Sequence, residues 1–312
     1  MLILFHISYS LFRDRKLRAR IFMAFLLACS ILAVLQFANL GGVQTVHESR
    51  ASVLDANQNI YAWYLGIALL ILLGILYRNR DFHTWTTNVG LLLSGVLIVQ
   101  MVLTGSRAGF LAAFAGCCAL FFGGNVRKVR FRNVVLVGIM TAAFLTICLH
   151  SDIIVERFND SIRNGDLAER QRIFPAAAQM ILEKPLLGWG TYEHLLELRY
   201  RVYGNFVESD ILDTHNDSLF VLTEVGILGG VPFFIGLLIS FKNVWQARKQ
   251  ASVALPFALM TSLAVMGLSG SLLIYKLFWL ILAYANASYA KPCQTVKAPA
   301  FSSHIFTPGF AK

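Results

Sequence analysis

The sequence predicts an all-α polytopic membrane protein with about eight transmembrane helices and one long helical loop outside the membrane. Of the 312 residues, 57% are hydrophobic and only 14% are charged, against about 25% charged in an average soluble chain. The apolar residues gather in stretches of spanning length, and the lysines and arginines gather in short loops between them. So few charged residues cannot form the surface of a globular protein in water. Most of the surface is therefore expected to face lipid.

Seven apolar stretches have the length of a membrane-spanning helix, and an eighth follows them. A bilayer core about 30 Å thick needs about 20 helical residues, within a range of roughly 17–25. The stretches cover residues 21–40, 60–77, 88–105, 106–123, 133–150, 216–240, 252–270 and 272–290. Residues 1–12 are too short to span and lack a small-residue cleavage site, so we interpret them as the remnant of another span or as an interfacial helix.

Positive charge in the short loops orients these spans. Four loops carry lysines or arginines, at residues 13–20, 78–81, 126–132 and 241–250. They fall on one side of the predicted topology, so the positive-inside rule places them all in the cytoplasm. The chain then divides into N-terminal transmembrane helices (1–150), an outward loop (151–215), C-terminal transmembrane helices (216–290) and a cytoplasmic tail (291–312), whose Pro, Lys and Ser content predicts disorder.

Neither the net charge nor the cysteines indicate a further class of partner or site. The charge of +10 comes from membrane loops and forms no basic stripe with exposed aromatics, so nucleic acid is not an expected partner. The five cysteines form no CxxC pair, and four of them lie in or beside apolar stretches. They are expected to be small buried side chains rather than a disulfide framework or a zinc site.

The outward loop is expected to have helices of its own. The stretch "ERQRIFPAAAQMILEK" at 169–184 places apolar residues at helical spacing. A tight turn rich in proline and glycine follows at 185–190 and ends this helix. A second short helix is expected near residues 192–203, before the chain re-enters the membrane at His215.

The first residue that could carry chemistry is Arg107, where two apolar stretches meet on the outward side. An arginine at that depth is costly and usually pairs with an anion or marks a pathway. The alternative is an arginine that snorkels to the lipid head groups. Four small neighbours, Gly105, Ser106, Ala108 and Gly109, would allow close approach of a backbone or a ligand.

A second candidate pair, Arg170 and Arg172, opens the predicted loop helix. A guanidinium matches phosphate through two parallel hydrogen bonds and stays charged at any depth. The alternative is a solvated helix face paired with Glu169 or Glu183, and the pattern taken alone favours that alternative.

The third candidate group surrounds His215 at the start of the 216–240 span. Histidine titrates near pH 6.5, so it can take up a proton at neutral pH, and a neighbouring aspartate could orient its ring. A metal site is the rival interpretation, because five possible ligands lie close in sequence: Glu208, Asp210, Asp213, His215 and Asp217. Their spacing matches no specific metal motif.

The order of these motifs resembles the O-antigen ligase family of membrane glycosyltransferases, which includes O-antigen ligases and polymerases. The similar stretches are "TGSRAGF" at 104–110, "ER" followed by "IFPAAAQMILEKPLLGWG" at 173–190, "THNDSLFVLTEVGILGG" at 214–230, and the earlier "ESRASVLDANQNIYAWYLGIAL" at 48–69. Each motif is weak alone, but their order across the long loop is specific. The resemblance covers roughly residues 48–290.

The resemblance implies a mechanism without a metal or a cofactor. Its donor is a glycan on undecaprenyl diphosphate, presented at the outer face of the inner membrane, which makes residues 151–215 a periplasmic loop. The family's functional arginines map onto Arg107 and Arg170, and its histidine maps onto His215 in a His-Asn-x9-Gly-x-x-Gly pattern. The arginines would hold the diphosphate and stabilise the leaving group, and the histidine would take the proton of the attacking sugar hydroxyl.

Other positions follow from the same resemblance. Arg170 aligns better than Arg172, because Phe174 and Pro185 then keep the family spacing. Substrate-binding roles are expected for Arg172, Asn216, Asp213 and Asp217. The chain departs from the family at Phe174, where tryptophan is usual, and in having fewer spans at its start, so we expect a truncated or late start.

Two enzyme classes share this chemistry, ligases and polymerases, and they differ in their acceptor. In an O-antigen ligase it is the lipid A core, and in a polymerase it is another lipid-linked repeat. The compact histidine motif and the single dominant loop favour the ligase. A transporter of the lipid-linked glycan is a third reading, but it predicts charges along several spans and two pseudo-symmetric halves, and the charges here gather at one outward site.

Overall fold

The structure is a computed structural model that describes most of the helical part of the chain. The described residues are 1–38, 44–47, 50–53, 57–78, 84–123, 146, 155, 169–204, 212–248 and 254–289. The predicted span 133–150, except for Thr146, lies outside the described residues. So do the predicted tail 291–312 and two candidate metal ligands, Glu208 and Asp210.

The described residues form ten helices and one short hairpin. In chain order these are α1 (Leu2–Arg13), α2 (Arg15–Phe37), β1 (Gln44–His47), β2 (Arg50–Val53), α3 (Gln58–Arg78), α4 (Thr84–Leu103), α5 (Arg107–Phe122), α6 (Arg170–Glu183), α7 (Glu193–Tyr203), α8 (Asp217–Ala247), α9 (Leu255–Gly267) and α10 (Lys276–Tyr289). The helical fold class is therefore confirmed for this part of the chain.

Four of the described helices are long and apolar enough to cross a membrane. They are Arg15–Phe37, Gln58–Tyr77, Trp85–Leu103 and Asp217–Ala247, and they correspond to the predicted spans 21–40, 60–77, 88–105 and 216–240. The predicted stretches 106–123, 252–270 and 272–290 form α5, α9 and α10, with 16, 13 and 14 residues. These three are shorter than the roughly 17 residues that a span needs, so the count of eight stays a prediction.

The hairpin is the departure from an all-helical chain. Strands β1 and β2 pair antiparallel, with Gln44 opposite Val53 and His47 opposite Arg50. Each strand has four residues, too few to give a clear alternation of polar and apolar side chains. Sequence analysis therefore predicted no strand here.

Small residues on α5 let it pack closely between α3 and α9. A side chain on Gly109 would begin 2.5 Å from the Cβ of Ala62 on α3, and one on Gly116 would begin 2.5 Å from Leu70 on the same helix. The two helices therefore run parallel. Gly116 also faces the carbonyl oxygen of Ala258 on α9, and Gly123 faces Ala254, so α9 runs antiparallel to α5.

These directions bring several helix termini to one end of the bundle. The first turns of α3 and α5 lie there, together with the last turn of α9. Helix α8 begins at the same end, because Asp217 bonds to the backbone of Leu272, shortly after α9. We call this the site end, and it includes Arg107 at the start of α5.

Candidate functional site

His215 lies in a tight turn that the flanking polar residues hold in place. Its backbone has a positive φ of 51°, which is uncommon for a residue with a side chain. The carboxylate of Asp213 accepts the backbone N–H of His215 at 2.9 Å. Asn216 then caps α8, since its Oδ1 accepts the N–H groups of Ser218 at 2.9 Å and Leu219 at 3.1 Å. We call residues 213–217 the histidine turn.

The histidine turn is bound to the segment between α9 and α10, residues 268–275, which we call the connecting segment. The amide of Asn216 donates to the carbonyl of Leu268 at 3.1 Å. The hydroxyl of Ser271 donates to Asp213. The backbone N–H of Leu272 donates to Asp217 at 2.6 Å. Three polar contacts thus hold the histidine turn against the segment that links α9 to α10.

Thr214 completes this contact from inside the protein. Its side chain is fully buried, its hydroxyl donates to the carbonyl of Asn216 at 3.1 Å, and it lies 3.3 Å from the hydroxyl of Ser271. Because buried hydroxyls need partners, these bonds favour one geometry for the turn around His215.

Arg170 reaches the same connecting segment from the loop. It is the first residue of α6, its side chain is half-buried, and its guanidinium donates to the carbonyl of Ser269 at 3.0 Å. Ser269 lies within two residues of Ser271, the partner of Asp213. The structure therefore brings Arg170 and the histidine turn to one short stretch of backbone.

Arg172 lies on a different face of the same helix turn. Its side chain is exposed. Its charge acts on Tyr203, whose hydroxyl donates to Glu169. That hydrogen bond raises the pKa of Tyr203, and the charges of Arg199 and Arg172 offset part of the rise. Arg172 thus belongs to a polar cluster at the end of α7, apart from the connecting segment.

The ring of His215 lies beside the carboxylate of Asp213 and is partly open to the surroundings. Its Nδ1 is 3.9 Å from the second oxygen of Asp213, and about a third of each side chain is exposed. This distance is longer than a hydrogen bond, although catalytic contacts of this kind often shorten when substrate binds. The other oxygen of Asp213, Oδ1, accepts the hydroxyl of Ser271 and the backbone N–H of His215, so the carboxylate itself is well fixed.

Arg107 begins α5 after a buried polar turn at the site end. Ser106 caps the helix by accepting the N–H of Gly109 at 3.1 Å, and Thr104 accepts the N–H of Ser106 at 3.2 Å. Both hydroxyl side chains are fully buried. Gly105 between them has a φ of +60°, a conformation that glycine adopts at low cost. The turn fixes where the half-buried Arg107 side chain leaves the helix.

Helix α8 is interrupted at Gly226. Residues 185–190, the turn after α6, form backbone hydrogen bonds with α8 on both sides of this break. The N–H groups of Trp189 and Gly190 donate to the carbonyls of Thr223 and Glu224, at 2.8 and 2.9 Å. On the other side of the break, the N–H groups of Ile227 and Leu228 donate to the carbonyls of Pro185 and Leu186, at 2.8 and 3.1 Å. We call these two segments, 185–190 and 223–228, the glycine crossing.

Two glycines make this close approach possible. A side chain on Gly188 would begin 2.6 Å from the carbonyl carbon of Glu224, and one on Gly226 would begin 2.5 Å from that of Leu186. Both glycines also have positive φ, +68° and +60°. Each backbone therefore occupies the space that the other's side chain would need.

Asp213, His215 and Asp217, the described members of the candidate metal site, do not form a metal-binding group. Across the described residues, no three His, Cys, Asp or Glu side chains are arranged to hold a metal ion. Asp213 and Asp217 instead accept hydrogen bonds from the connecting segment.

A comparison with known protein families gives one match. Residues 91–234 match the family model of the O-antigen ligases. This part of the chain is similar to that family. No curated protein matches the chain. The matched region runs from α4 to the first part of α8, and it includes Arg107, Arg170 and His215.

The match to this family model supports a coarse function. O-antigen ligases and the related polymerases are membrane glycosyltransferases, and their substrates are lipid-linked glycans. The apolar helices of spanning length agree with a membrane protein of this kind.

Sequence analysis missed two parts of the candidate site and its surroundings. The connecting segment lies where the predicted spans 252–270 and 272–290 meet, and none of its residues was singled out, although "SGS" at 269–271 offers small and hydroxyl groups that suit close polar contacts. His194 was also not singled out. It is buried, it bonds the carbonyl of Gly190 at 2.8 Å, and its ring meets Phe220 edge-on at 4.8 Å. Burial lowers the pKa of His194, so it is expected to be a neutral packing residue behind the glycine crossing.

Proposed function

We propose that this chain is an O-antigen ligase that transfers a glycan from undecaprenyl diphosphate to the lipid A core at the periplasmic face of the inner membrane. The observation that carries the proposal is the connecting segment, which holds both Arg170 and the histidine turn. A transferase of this kind needs a cation for the diphosphate and a base for the attacking hydroxyl, held at a fixed separation. Here Arg170 bonds Ser269, and the histidine turn bonds Ser271 and Leu272 through Asp213 and Asp217.

Arg170 and Arg107 supply the positive charge in this mechanism. As the sugar–phosphate bond breaks, negative charge grows on the departing diphosphate, and fixed guanidinium groups stabilise it. Arg170 is half-buried, so its charge is less screened than that of a fully exposed side chain. Arg107 enters the same end of the bundle from a rigid capped turn.

His215 acts as the general base. Its ring takes the proton of the acceptor hydroxyl as that oxygen attacks the anomeric carbon of the donor. Asp213, 3.9 Å from Nδ1, orients the ring and stabilises its protonated form, which leaves Nε2 for the substrate. Asp213 is therefore a positioning residue in this proposal.

The substrate-binding roles of Asn216, Asp217 and Arg172 stay predictions. The polar atoms of Asn216 and Asp217 have backbone partners on the connecting segment and α8, which supports positioning roles for both. Arg172 lies outside the contact with the connecting segment, and its exposed side chain could still meet a large glycan.

The direct test of the base is the His215→Ala variant, assayed for glycan transfer from a purified undecaprenyl-diphosphate donor. Loss of a general base typically slows turnover about 10²–10⁴-fold, while binding of the donor should stay close to that of the parent chain. The assay is run in EDTA, because the proposed mechanism needs no metal. Near-normal turnover of His215→Ala would contradict the base. Complete loss of parent activity in EDTA, restored by one divalent ion, would contradict metal independence.

The acceptor is tested by the glycolipids of a strain that lacks the gene. A ligase predicts a lipid A core without polymer and polymer accumulating on undecaprenyl diphosphate. A polymerase, the second candidate, predicts a core that carries a single repeat. The compact histidine motif and the single dominant loop predicted from the sequence favour the ligase. A lipid A core without polymer, with unpolymerised lipid-linked repeats retained on the cytoplasmic side, would instead indicate the transporter.

The periplasmic orientation of the site rests on the positive loops. Single cysteines at Tyr200 on α7 and Gln246 near the end of α8, both exposed, are expected to react differently with an impermeant thiol reagent in cells with a permeabilised outer membrane. Tyr200→Cys should be labelled and Gln246→Cys should not. The reverse pattern would place the site in the cytoplasm.

A further inference from the structure

The depth of the glycine crossing follows from the charges on α8. Residues 225–241 contain no charged side chain, and Glu224 and Lys242 bound this run. At 1.5 Å per residue the run is about 25 Å long, which is less than the hydrocarbon core of about 30 Å. If α8 spans the membrane, the whole run lies within the hydrocarbon, including the break at Gly226.

Residues 185–190, the turn after α6, must lie at the same depth in the membrane as the break in α8 at Gly226. Backbone groups in hydrocarbon need partners within the protein, because no water is present to bond them. At the break, Pro185 and Leu186 accept the N–H groups of Ile227 and Leu228, at 2.8 and 3.1 Å. These bonds hold residues 185 and 186 directly against a part of α8 that faces lipid.

The side chains of this turn and of the end of α6 suit such a position. Leu182, Leu186 and Leu187 are 79%, 60% and 74% exposed, an unusual concentration of open leucines for a loop in water. On α8, Ile227 and Leu228 beside them are 44% and 61% exposed. The leucines of the turn and the lipid-facing side of α8 therefore form one continuous apolar surface.

The polar groups at the edge of this turn also fit an interfacial position. The ammonium group of Lys184 lies 3.7 Å from the centre of the Trp189 ring, and the guanidinium of Arg201 lies 5.2 Å from it. The indole N–H of Trp189 donates to the carbonyl of Met180 at 2.9 Å. Tryptophan is enriched where hydrocarbon meets head groups, and lysine and arginine there extend to the phosphates.

We propose that residues 182–189 form a re-entrant membrane element, in which Leu182, Leu186 and Leu187 contact lipid acyl chains and Lys184 lies at the head groups. The segment that links α6 and α7 is then part of the membrane domain, and the bilayer is its partner. This inference depends on the depth of the break in α8 and not on the reaction, so it stands or falls separately from the proposed function.

The test is the environment of spin labels in the full chain, reconstituted in vesicles of phosphatidylethanolamine and phosphatidylglycerol. The native cysteines are replaced, and single cysteines are introduced at Leu182, Leu186 and Leu187. Leu228→Cys is the lipid-facing reference, and Tyr200→Cys on α7, where the side chain is 46% exposed, is the matched loop control. Oxygen, which concentrates in hydrocarbon, and a water-soluble nickel chelate then report the surroundings of each label.

The labels at 186 and 187 are expected to give an oxygen-to-nickel collision ratio like that at 228 and several-fold above that at 200. The label at 182 should fall between these limits or match 228. All five positions are exposed, so the variants should fold, and gel filtration in detergent checks that they do. Labels at 186 and 187 that match position 200 would show that the turn lies in water and would overturn the proposal.

Discussion

The histidine turn and the glycine crossing both tie a loop to α8, but they do so with different atoms. At the histidine turn, side chains of Asp213, Asn216 and Asp217 bond the connecting segment. At the glycine crossing, four backbone hydrogen bonds join residues 185–190 to residues 223–228. One contact depends on which side chains are present, and the other depends on the absence of two side chains.

This difference predicts how each region responds to amino-acid substitutions. A side-chain contact can lose one hydrogen bond while the backbone stays in place, so substitutions of Asn216 or Asp217 should lower stability in small steps. A backbone contact between two glycines has no such intermediate, because any side chain must displace the opposite segment. The crossing is therefore expected to act as the rigid base on which the histidine turn, nine residues earlier along the chain from Gly226, is held.

The largest predicted effect on stability is for Gly226→Ala. The backbone of Gly226 (φ 60°, ψ −163°) is in a region that is almost exclusive to glycine, which costs other residues about 1–3 kcal/mol. Its new Cβ would also lie 2.5 Å from the carbonyl of Leu186. Together we expect a loss of about 3 kcal/mol in the free energy of unfolding, measured by denaturation in mixed micelles.

Gly236→Ala on the same helix is the matched control for this prediction. An added Cβ there has no atom within 4 Å among the described residues, and alanine favours a helix over glycine by about 0.5–1 kcal/mol. The variant should be as stable as the parent chain or slightly more so. Equal losses at 226 and 236 would mean that the crossing has no special role.

A smaller effect is expected for Asn216→Ala at the histidine turn. This change removes the cap of α8, worth about 1 kcal/mol, and the bond from its amide to Leu268, worth about another 1 kcal/mol. Asn216→Ser keeps a capping oxygen and removes only the amide, so it should lose about half as much. Thermal unfolding of both variants gives the comparison, and an equal loss in the two would assign the whole effect to the bond with Leu268.

The sequence was a good guide to periodic elements and a poor one to contacts between distant segments. Helices α2, α3 and α4 and the helix–turn–helix of the loop follow directly from apolar spacing and from the Pro and Gly residues at 185–190. The break at Gly226 could not be predicted, because an apolar run of spanning length looks the same whether or not a second backbone crosses it. Gly188 and Gly226 were visible as glycines, but their pairing exists only in three dimensions.

The same limit applies to the candidate site. The residue types around His215 indicated acid–base chemistry, but the partners that fix them, Leu268, Ser271 and Leu272, lie more than fifty residues later in the chain. Their contribution is one backbone carbonyl, one hydroxyl and one backbone N–H. Such groups carry no sequence signal of their own, so only the fold shows that Arg170 and His215 share a support.

The central claim is that Arg170, and not Arg172, works with His215 on the connecting segment. It is tested most directly by turnover of Arg170→Lys and Arg172→Lys in one assay, after both variants are shown to fold. Lysine keeps the charge and loses the two-pronged contact with a diphosphate. Loss of a charge-assisted contact costs about 1.5–3 kcal/mol, which is roughly a ten- to hundredfold decrease in rate. We expect that decrease for Arg170→Lys and near-parent turnover for Arg172→Lys. A larger decrease for Arg172→Lys would contradict the account.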